Sequence, residues 1–514
     1  VFGVIDQLLA DDSGVSTEVV VMAQLDPEDM WHEIGERCPH IKPGMLEIIE
    51  GRIDSVQKLQ ELCIRNATRV IVLDYEEHPD STDIADVRLL QVLLACCQAV
   101  RNSQSSLVKK AGPAARKRKK KRNATDLGHR VPIVGAATSA NSARILQQGI
   151  PRELAQEVEI RVIDTGDLLD RVLVQVIHQP HLAEVFLDLV SYEGDDGVDE
   201  TDDPGAEIYA IAVEDSLVGK TFSESFHQFL PAIPIGYLTR KGRLCLNPEP
   251  GSPEASRALK STDSLILVAD SMETVHAEHP SEPHVPMPEL VQTRLPEEAP
   301  RSVVLLGPEA QIAHLTETLG YFLPAGSRVW IPGSHPPQDR DGIHIAPLIG
   351  PDVEFELDEN NGLPLVTLIE SVPDAIWQHC DTVVFTQTWQ DGDGQDAEIL
   401  LALTALMSHF APGTDRPQVI VELFDRRYEE LVSLYGDVTI LLPSLLASDL
   451  LVQLADAPYR AEIFAELLDP DGNEIYLRPL SRYLAEGETD LSFTEVSIRA
   501  RSLGEIAIGW VCPS

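Results

Sequence analysis

What most constrains this 514-residue chain is that its pattern occurs twice. Gly205-Ala-Glu-Ile-Tyr209 returns as Gly472-Asn-Glu-Ile-Tyr476, 267 residues later. Asp86 and Asp396, each at the start of a helical stretch that follows an apolar run, lie 310 residues apart, and the next apolar runs lie about 287 apart. Such a repeat makes each half a structural unit of its own. The two drops in spacing locate two insertions in the first copy, a basic one at 101–130 and an acidic one at 193–204.

Within each copy, short β-branched runs bounded by turn formers alternate with helical stretches. Glu18–Ala23, Met45–Glu50, Arg69–Asp74, Val131–Ala137 and Glu159–Asp164 are expected to be buried parallel strands. Helical stretches such as Asp86–Val100 lie between them, the pattern of right-handed βαβ crossovers. A helix-like stretch, Gly166–Ser191, closes the first unit, and an α+β piece from Glu207 to Asp270 ends in the strand Ser264–Ala269. Residues 274–300 carry six prolines and no periodicity, which makes them a linker. Beyond it Ser302–Gly307, Arg328–Ile331, Thr382–Gln387 and Gln418–Phe424 are strands, with Asp396–Phe410 and Leu445–Leu468 the matching helices. The expected fold is α/β: two tandem Rossmann-like, doubly wound modules, each followed by a smaller α+β lobe. Its boundaries are 1–192, 193–273 (acidic insertion and first small lobe), the linker 274–300, then 301–470 and 471–514.

Composition narrows the function. No apolar run reaches the ~20 residues needed to cross a bilayer, and residues 1–11 lack the basic flank and cleavage site of a signal peptide. Val1 is not an initiator Met, which reads as a processed or trimmed chain. The formal charge is −43, and six of the eleven lysines fall between Lys109 and Lys121. An acidic, lysine-poor surface argues against nucleic acid, because phosphate contacts need clustered cations on a folded face. The basic run Lys117–Arg122 reads as a solvated insertion. Its functional alternative is a tether, through residues 109–122, to anionic lipid headgroups, worth about 1 kcal/mol per cation. Seven scattered cysteines without a CxxC pair fit a reducing compartment, and adjacent Cys96 and Cys97 in an apolar helical stretch read as packing residues.

Dinucleotide binding needs glycines where the first strand turns into its helix. The first copy offers only Gly3 in Val1–Gln7, and the second only Gly307, followed by the repelling Glu309. No dinucleotide is therefore expected. Nor is there a nucleophile elbow, a Walker loop or a zinc-protease helix at His32-Glu33, so no enzyme chemistry is expected. His276, His279 and His284 sit in the linker without a scaffold, while His178 and His181 flank Pro180, where a kink is expected. The candidate metal ligands are carboxylates beyond the carboxyl ends of strands: Asp391, Asp393, Asp396 and Glu398 in the second copy, Asp80 and Asp83 in the first. Loops alternating Asp and Gly can supply the oxygens that calcium takes. The simpler reading makes Asp86 and Asp396 helix N-caps and the other acids solvated.

Several ordered segments resemble the cytosolic region of the CASTOR/POLLUX ion channels. They are Ile163–Pro180, Phe229–Gly236, Leu246–Pro248, Glu474–Arg478, Ser492–Arg501 and Glu505–Gly509. The resemblance implies two RCK-type (regulator of potassium conductance) modules in a ligand-sensing gating module at the cytoplasmic side of a membrane. It further implies self-association, four chains making an eight-module ring, beneath a pore domain that lies upstream of Val1 or on another chain. Calcium is the ligand the acidic loops suggest. The competing reading is a soluble Trk/Ktr-type regulatory subunit that binds a nucleotide and docks on a separate potassium-transport pore.

Overall fold

The computed structural model describes residues 1–10, 18–42, 44–73, 82–110, 130–154, 157–190, 206–229, 232–270, 275, 290, 295, 298–332, 339, 342–348, 364–387, 392–411 and 414–511. Described residues of Val1–Leu169, Val190–Pro204 and Ser444–Ala461 form one compact unit. Those of Asp170–Leu189, Gly205–Pro443 and Glu462–Ser514 form a second.

The first unit carries the strands β1 Val19–Ala23, β2 Leu46–Glu50, β3 Val70–Val72, β4 Val131–Ala137 and β5 Val158–Asp164. All pair in parallel, as β1-β2 and as β3-β4-β5. Helices α1 Phe2–Ala10, α2 Pro27–Arg37, α3 Val56–Glu61, α4 Thr82–Lys110 and α5 Ala140–Gly149 connect them. Asp26 and Ser139 cap α2 and α5 by accepting backbone N–H groups. The core beneath β3–β5 gathers Leu93, Cys96, Cys97, Ala99, Ile133 and Val158, so the adjacent cysteines do pack, and both thiols are free. Val1–Gln7 is not a strand-to-helix turn. Gly3 lies inside α1, where a Cβ would come within 2.6 Å of Ser448 Oγ.

The stretch expected as one helix over Gly166–Ser191 is two, α6 Thr165–His178 and α7 Leu182–Val190. Pro180 lacks an N–H and separates them. In the second unit the small lobe is a four-stranded antiparallel sheet of β6 Glu207–Ala212, β7 Ile233–Leu238, β8 Leu244–Leu246 and β9 Ser264–Ala269, in the order β6-β9-β7-β8. Then comes a six-stranded parallel sheet: β10 Ser302–Leu306, β11 Arg328–Ile331, β12 His344–Pro347, β13 Thr382–Phe385, β14 Gln418–Glu422 and β15 Val438–Leu441. Its order is β12-β11-β10-β13-β14-β15, the doubly wound arrangement. Helices α8 Glu309–Phe322, α9 Leu365–Ser371, α10 Gly392–Ser408 and α11 Glu429–Ser433 accompany it.

The expected helix Leu445–Leu468 is likewise broken at Ala457-Pro-Tyr459, into α12 Pro443–Asp456 and α13 Arg460–Leu467. Strand β15 escapes the sequence reading because its apolar residues run straight into Leu442 and Pro443, and Pro443 starts α12. The final segment pairs no strand of its own among the described residues. Glu474-Ile-Tyr476, which repeats the opening of β6, forms no strand, and α14 Phe493–Ser502 follows with a Ser492–Glu495 capping box. Arg501 of α14 donates to Asn247 Oδ1 (2.7 Å) and the Pro248 carbonyl (2.6 Å), with its guanidinium over Phe222 and Phe226. Two segments singled out in sequence, 246–248 and 492–501, thus meet within one unit. No helix among the described residues is long and apolar enough to cross a membrane.

Candidate functional site

Strand order in the six-stranded sheet reverses between β10 and β13, where open α/β sheets take ligands beyond the carboxyl ends of their strands. Here the two strand ends are drawn together. Thr386 N donates to the Leu306 carbonyl at 2.8 Å, and Gly307 follows with φ +156°. A Cβ on Gly307 would lie 2.5 Å from the Thr386 carbonyl oxygen, so only glycine fits. The one glycine the sequence offered for a phosphate turn serves this close approach instead.

Next to that contact lies a buried polar cluster. Glu422, at the end of β14, accepts from Thr386 Oγ1 (2.6 Å) and Gln387 N (3.1 Å). The Gln387 amide donates to Asp396 Oδ1 and to the Glu422 carbonyl, both at 2.6 Å. Asp396 also accepts the backbone N–H groups of Phe424 (2.9 Å) and Asp425 (2.8 Å). Burial without a cationic partner pushes the Glu422 carboxyl up to about 7, opposed by the bonds from Thr386 and Gln387. Gln387 is 8% exposed, and its Oε1 has no hydrogen-bond partner, so the cluster ends in a bare acceptor.

Of the expected carboxylates, Asp396 is therefore an internal anchor on the first turns of α10 rather than its N-cap. Glu398, exposed, accepts Leu365 N at 3.0 Å. Asp391 and Asp80 lie outside the described residues. Asp393 and Asp83 fall on the first turns of α10 and α4. The first copy repeats the anchor: Asp86, inside α4, accepts from Thr138 N (3.1 Å) and Thr138 Oγ1 (2.7 Å) after β4. Among the described residues no group of three or more His, Cys, Asp or Glu side chains is arranged to hold a metal. His178, half-buried, faces Glu298 at 3.5 Å, and His32 faces Glu36 at 3.5 Å. The linker histidines, the lysine run 117–122 and the acidic insertion lie outside the described residues. Sequence reasoning missed Thr386, Gln387 and Glu422. A carboxylate at the close of the apolar run Val419-Ile-Val421, flanked beyond by Leu423 and Phe424, was the available signal.

Residues 166–285 match the family model described as Castor and Pollux, part of voltage-gated ion channel. A probable ion channel CASTOR of Oryza sativa subsp. japonica is 23% identical over 549 residues, covering 98% of this chain and 54% of the relative. This chain is thus similar to CASTOR/POLLUX ion channels along nearly its whole length. A probable ion channel POLLUX of Arabidopsis thaliana is 23% identical, over 96% of this chain and 57% of its own length. The chain thus spans about half the length of the curated relatives it matches. The human SLO3 gating ring shares the fold with a TM-score of 0.54 at 12% identity, covering 88% of this chain and 85% of that one. The chain shares that tandem Rossmann-like fold, and it is the six-stranded sheet of the second copy that brings Gln387, Asp396 and Glu422 together at its switch point.

Proposed function

We propose that this chain is the ligand-sensing gating module of a CASTOR/POLLUX-like cation channel, working at the cytoplasmic side of the membrane as a ring of its own copies beneath a pore. The observation that carries the reading is the likeness to ion channels along 96–98% of the chain. A ligand moves such a module only by binding one arrangement more tightly than another. The sensing point fits the carboxyl ends of β13 and β14, where Gln387, Asp396 and Glu422 present oxygen donors and a bare amide oxygen. Calcium, a hard cation that takes oxygen ligands, is the ligand of choice, with Asp391, Asp393 and Glu398 as further ligands near Asp396 in sequence, and Asp80 and Asp83 as first-copy counterparts. Contact of residues 109–122 with anionic lipid belongs to the same proposal.

Isothermal calorimetry of the chain with calcium at physiological ionic strength tests it. Binding that weakens at least tenfold in Glu422→Gln supports the reading, and the absence of calcium heat or thermal stabilisation removes the calcium part. Stabilisation by ATP or NADH without any by calcium points instead to the nucleotide-binding regulatory subunit. Light scattering that finds only monomers at micromolar concentration counts against the ring.

A further inference from the structure

Inside the first unit, helix α1 rests on α12, which follows β15 in the chain. Gly3 of α1 comes so near that a Cβ there would lie 2.6 Å from Ser448 Oγ, 3.0 Å from Ser448 Cβ and 3.5 Å from Leu445 Cδ2. Asp6 stands one turn further along the same face of α1 and is half-buried. Asp449 follows Ser448 on α12 and is only 3% exposed. The helix contact therefore sets one carboxylate toward another.

The surroundings offer Asp449 no compensating charge. Its Oδ1 accepts no hydrogen bond, and among the described residues the charge that acts on it is that of Asp6. The cations nearby are engaged elsewhere. His40 Nε2 lies 2.5 Å from Asp6 Oδ1, and Arg37 stacks on the Phe2 ring with its guanidinium 5.0 Å from the ring centre. Arg37 and the Val1 amino group act on Cys38, whose thiol is also reached by the Asp6 charge. At the far end of α12, Arg69 faces Asp456 at 3.7 Å. An ionised Asp449 would thus meet a like charge and leave an oxygen without a donor, so the seated helix favours the protonated carboxyl.

We propose that α1 is a latch held on α12 by the proton of Asp449, seated while that carboxyl is neutral and released as rising pH ionises it beside Asp6. Lifting α1 admits water to both carboxylates, and Asp449 gives its proton to that water. The seated carboxyl is pushed up to about 8 by burial and by Asp6, so the loosening spans the neutral range. Each opening frees one proton, and the lifted population therefore grows by up to about tenfold per pH unit until the seated carboxyl itself ionises. The latch acts on the first unit and needs no calcium.

Cys38 supplies the probe. It is a buried free thiol in the same apolar cluster as Ile5 of α1, so its alkylation waits for α1 to lift. Iodoacetamide labelling of Cys38, read by peptide mass spectrometry, is followed from pH 6 to pH 9 in the full chain, in Asp449→Asn and in Gly3→Ala. Dividing the parent's rate by that of Asp449→Asn at each pH removes the thiol's own ionisation. The ratio is expected to rise at least tenfold from pH 6 to pH 8 and to level off above. Gly3→Ala, whose methyl cannot sit beside Ser448, is expected to label at least tenfold faster than the parent already at pH 6. Asp449→Ser, smaller and uncharged, is read in the same way if the asparagine variant does not fold. A ratio that stays constant from pH 6 to pH 9 overturns the proposal. So does a Gly3→Ala chain that labels no faster than the parent at pH 6, because α1 is then not what shields the thiol.

Discussion

The backbone N–H of Asp425 donates to the Asp396 carboxylate at 2.8 Å, and the first copy repeats the arrangement between Thr138 and Asp86 at 3.1 Å. The donors stand 287 residues apart and the acceptors 310, the same two spacings that betray the duplication. Each carboxylate is set early on a helix and reaches across to fix the loop that leaves the next strand. Removing Asp396 leaves the half-buried Phe424 and Asp425 N–H groups without their acceptor, whereas exposed Thr138 can turn to water, so the cost grows with burial. Asp396→Ala should therefore lower stability by about 2–3 kcal/mol, and Asp86→Ala, whose carboxylate is only half-buried, by about 1 kcal/mol. Because the two anchors belong to different compact units, urea unfolding should show each substitution acting on its own transition, and the double variant should show the sum. Equal losses on a single shared transition would contradict this.

Gly307 is tied to Thr386 by geometry rather than by any side-chain bond. Gly307→Ala forces a methyl to within 2.5 Å of the Thr386 carbonyl oxygen at a φ of +156°, and neither can yield without separating β10 from β13. A loss of roughly 1–3 kcal/mol is expected from the strained backbone alone. Thr386→Ala should not restore the parent's stability, because it removes the Cγ2 that lies 2.6 Å from the new methyl but leaves the carbonyl oxygen at 2.5 Å. Thermal melts of the single and double variants decide the point: full recovery in the double would place the whole conflict in the Thr386 side chain.

How much of this was legible in the sequence depends on what each feature rests on. Strands such as Val131–Ala137 and Ser264–Ala269 could be read to the residue, because a buried strand needs a short apolar run and turn formers at its ends. The two breaks in the long helices were less so. Pro180 and Pro458 sit inside apolar stretches whose period continues on both sides, and only the missing N–H interrupts the helix. Asp396 was noticed as an acid in an acid-rich loop, but its partners are backbone groups of Phe424 and Asp425 and a side chain, Gln387, that no local pattern connects to it. Glu422 showed in sequence only as a carboxylate closing an apolar run, and its partners Thr386 and Gln387 were hidden for the same reason. Its importance comes from burial, which is a property of the packed sheet and not of the run Val419–Phe424.

Asp449 gives the first unit its own pH dependence. It lies on α12, buried, with Oδ1 lacking a hydrogen-bond partner, and burial, aided by the Asp6 charge on α1, pushes its carboxyl up to about 8. The folded chain thus holds a proton that the unfolded chain releases near pH 4. Its contribution to stability is whole below that value and is lost as pH rises to about 8. Asp449→Asn should remove this slope, so that the variant gains on the parent steadily from pH 5 to pH 8. Asp6→Asn should move the parent's slope to lower pH. Parallel stability curves for parent and Asp449→Asn would show that the carboxyl is ionised throughout.

Glu422 extends the same reasoning to the second unit, where the direction of a second substitution can be checked. Its carboxyl, raised to about 7 by burial, binds a proton in the folded state that the unfolded chain gives up near its ordinary value of 4.5. Stability drawn from this group is therefore complete below pH 4.5 and falls as pH rises through 7. The fall amounts to about 3 kcal/mol, because each tenfold difference in proton affinity between the two states is worth about 1.4 kcal/mol. Glu422→Gln, neutral at every pH, should be flat across that window. The Thr386 hydroxyl donates to the ionised carboxylate and so holds the value down. Thr386→Val must then raise it further and carry the fall in stability to higher pH, provided the valine is accommodated beside the β10 end. A Thr386→Val curve shifted toward acid would mean that the hydroxyl accepts from a protonated Glu422 rather than donating to its carboxylate, and the polarity assigned to the cluster would have to be reversed.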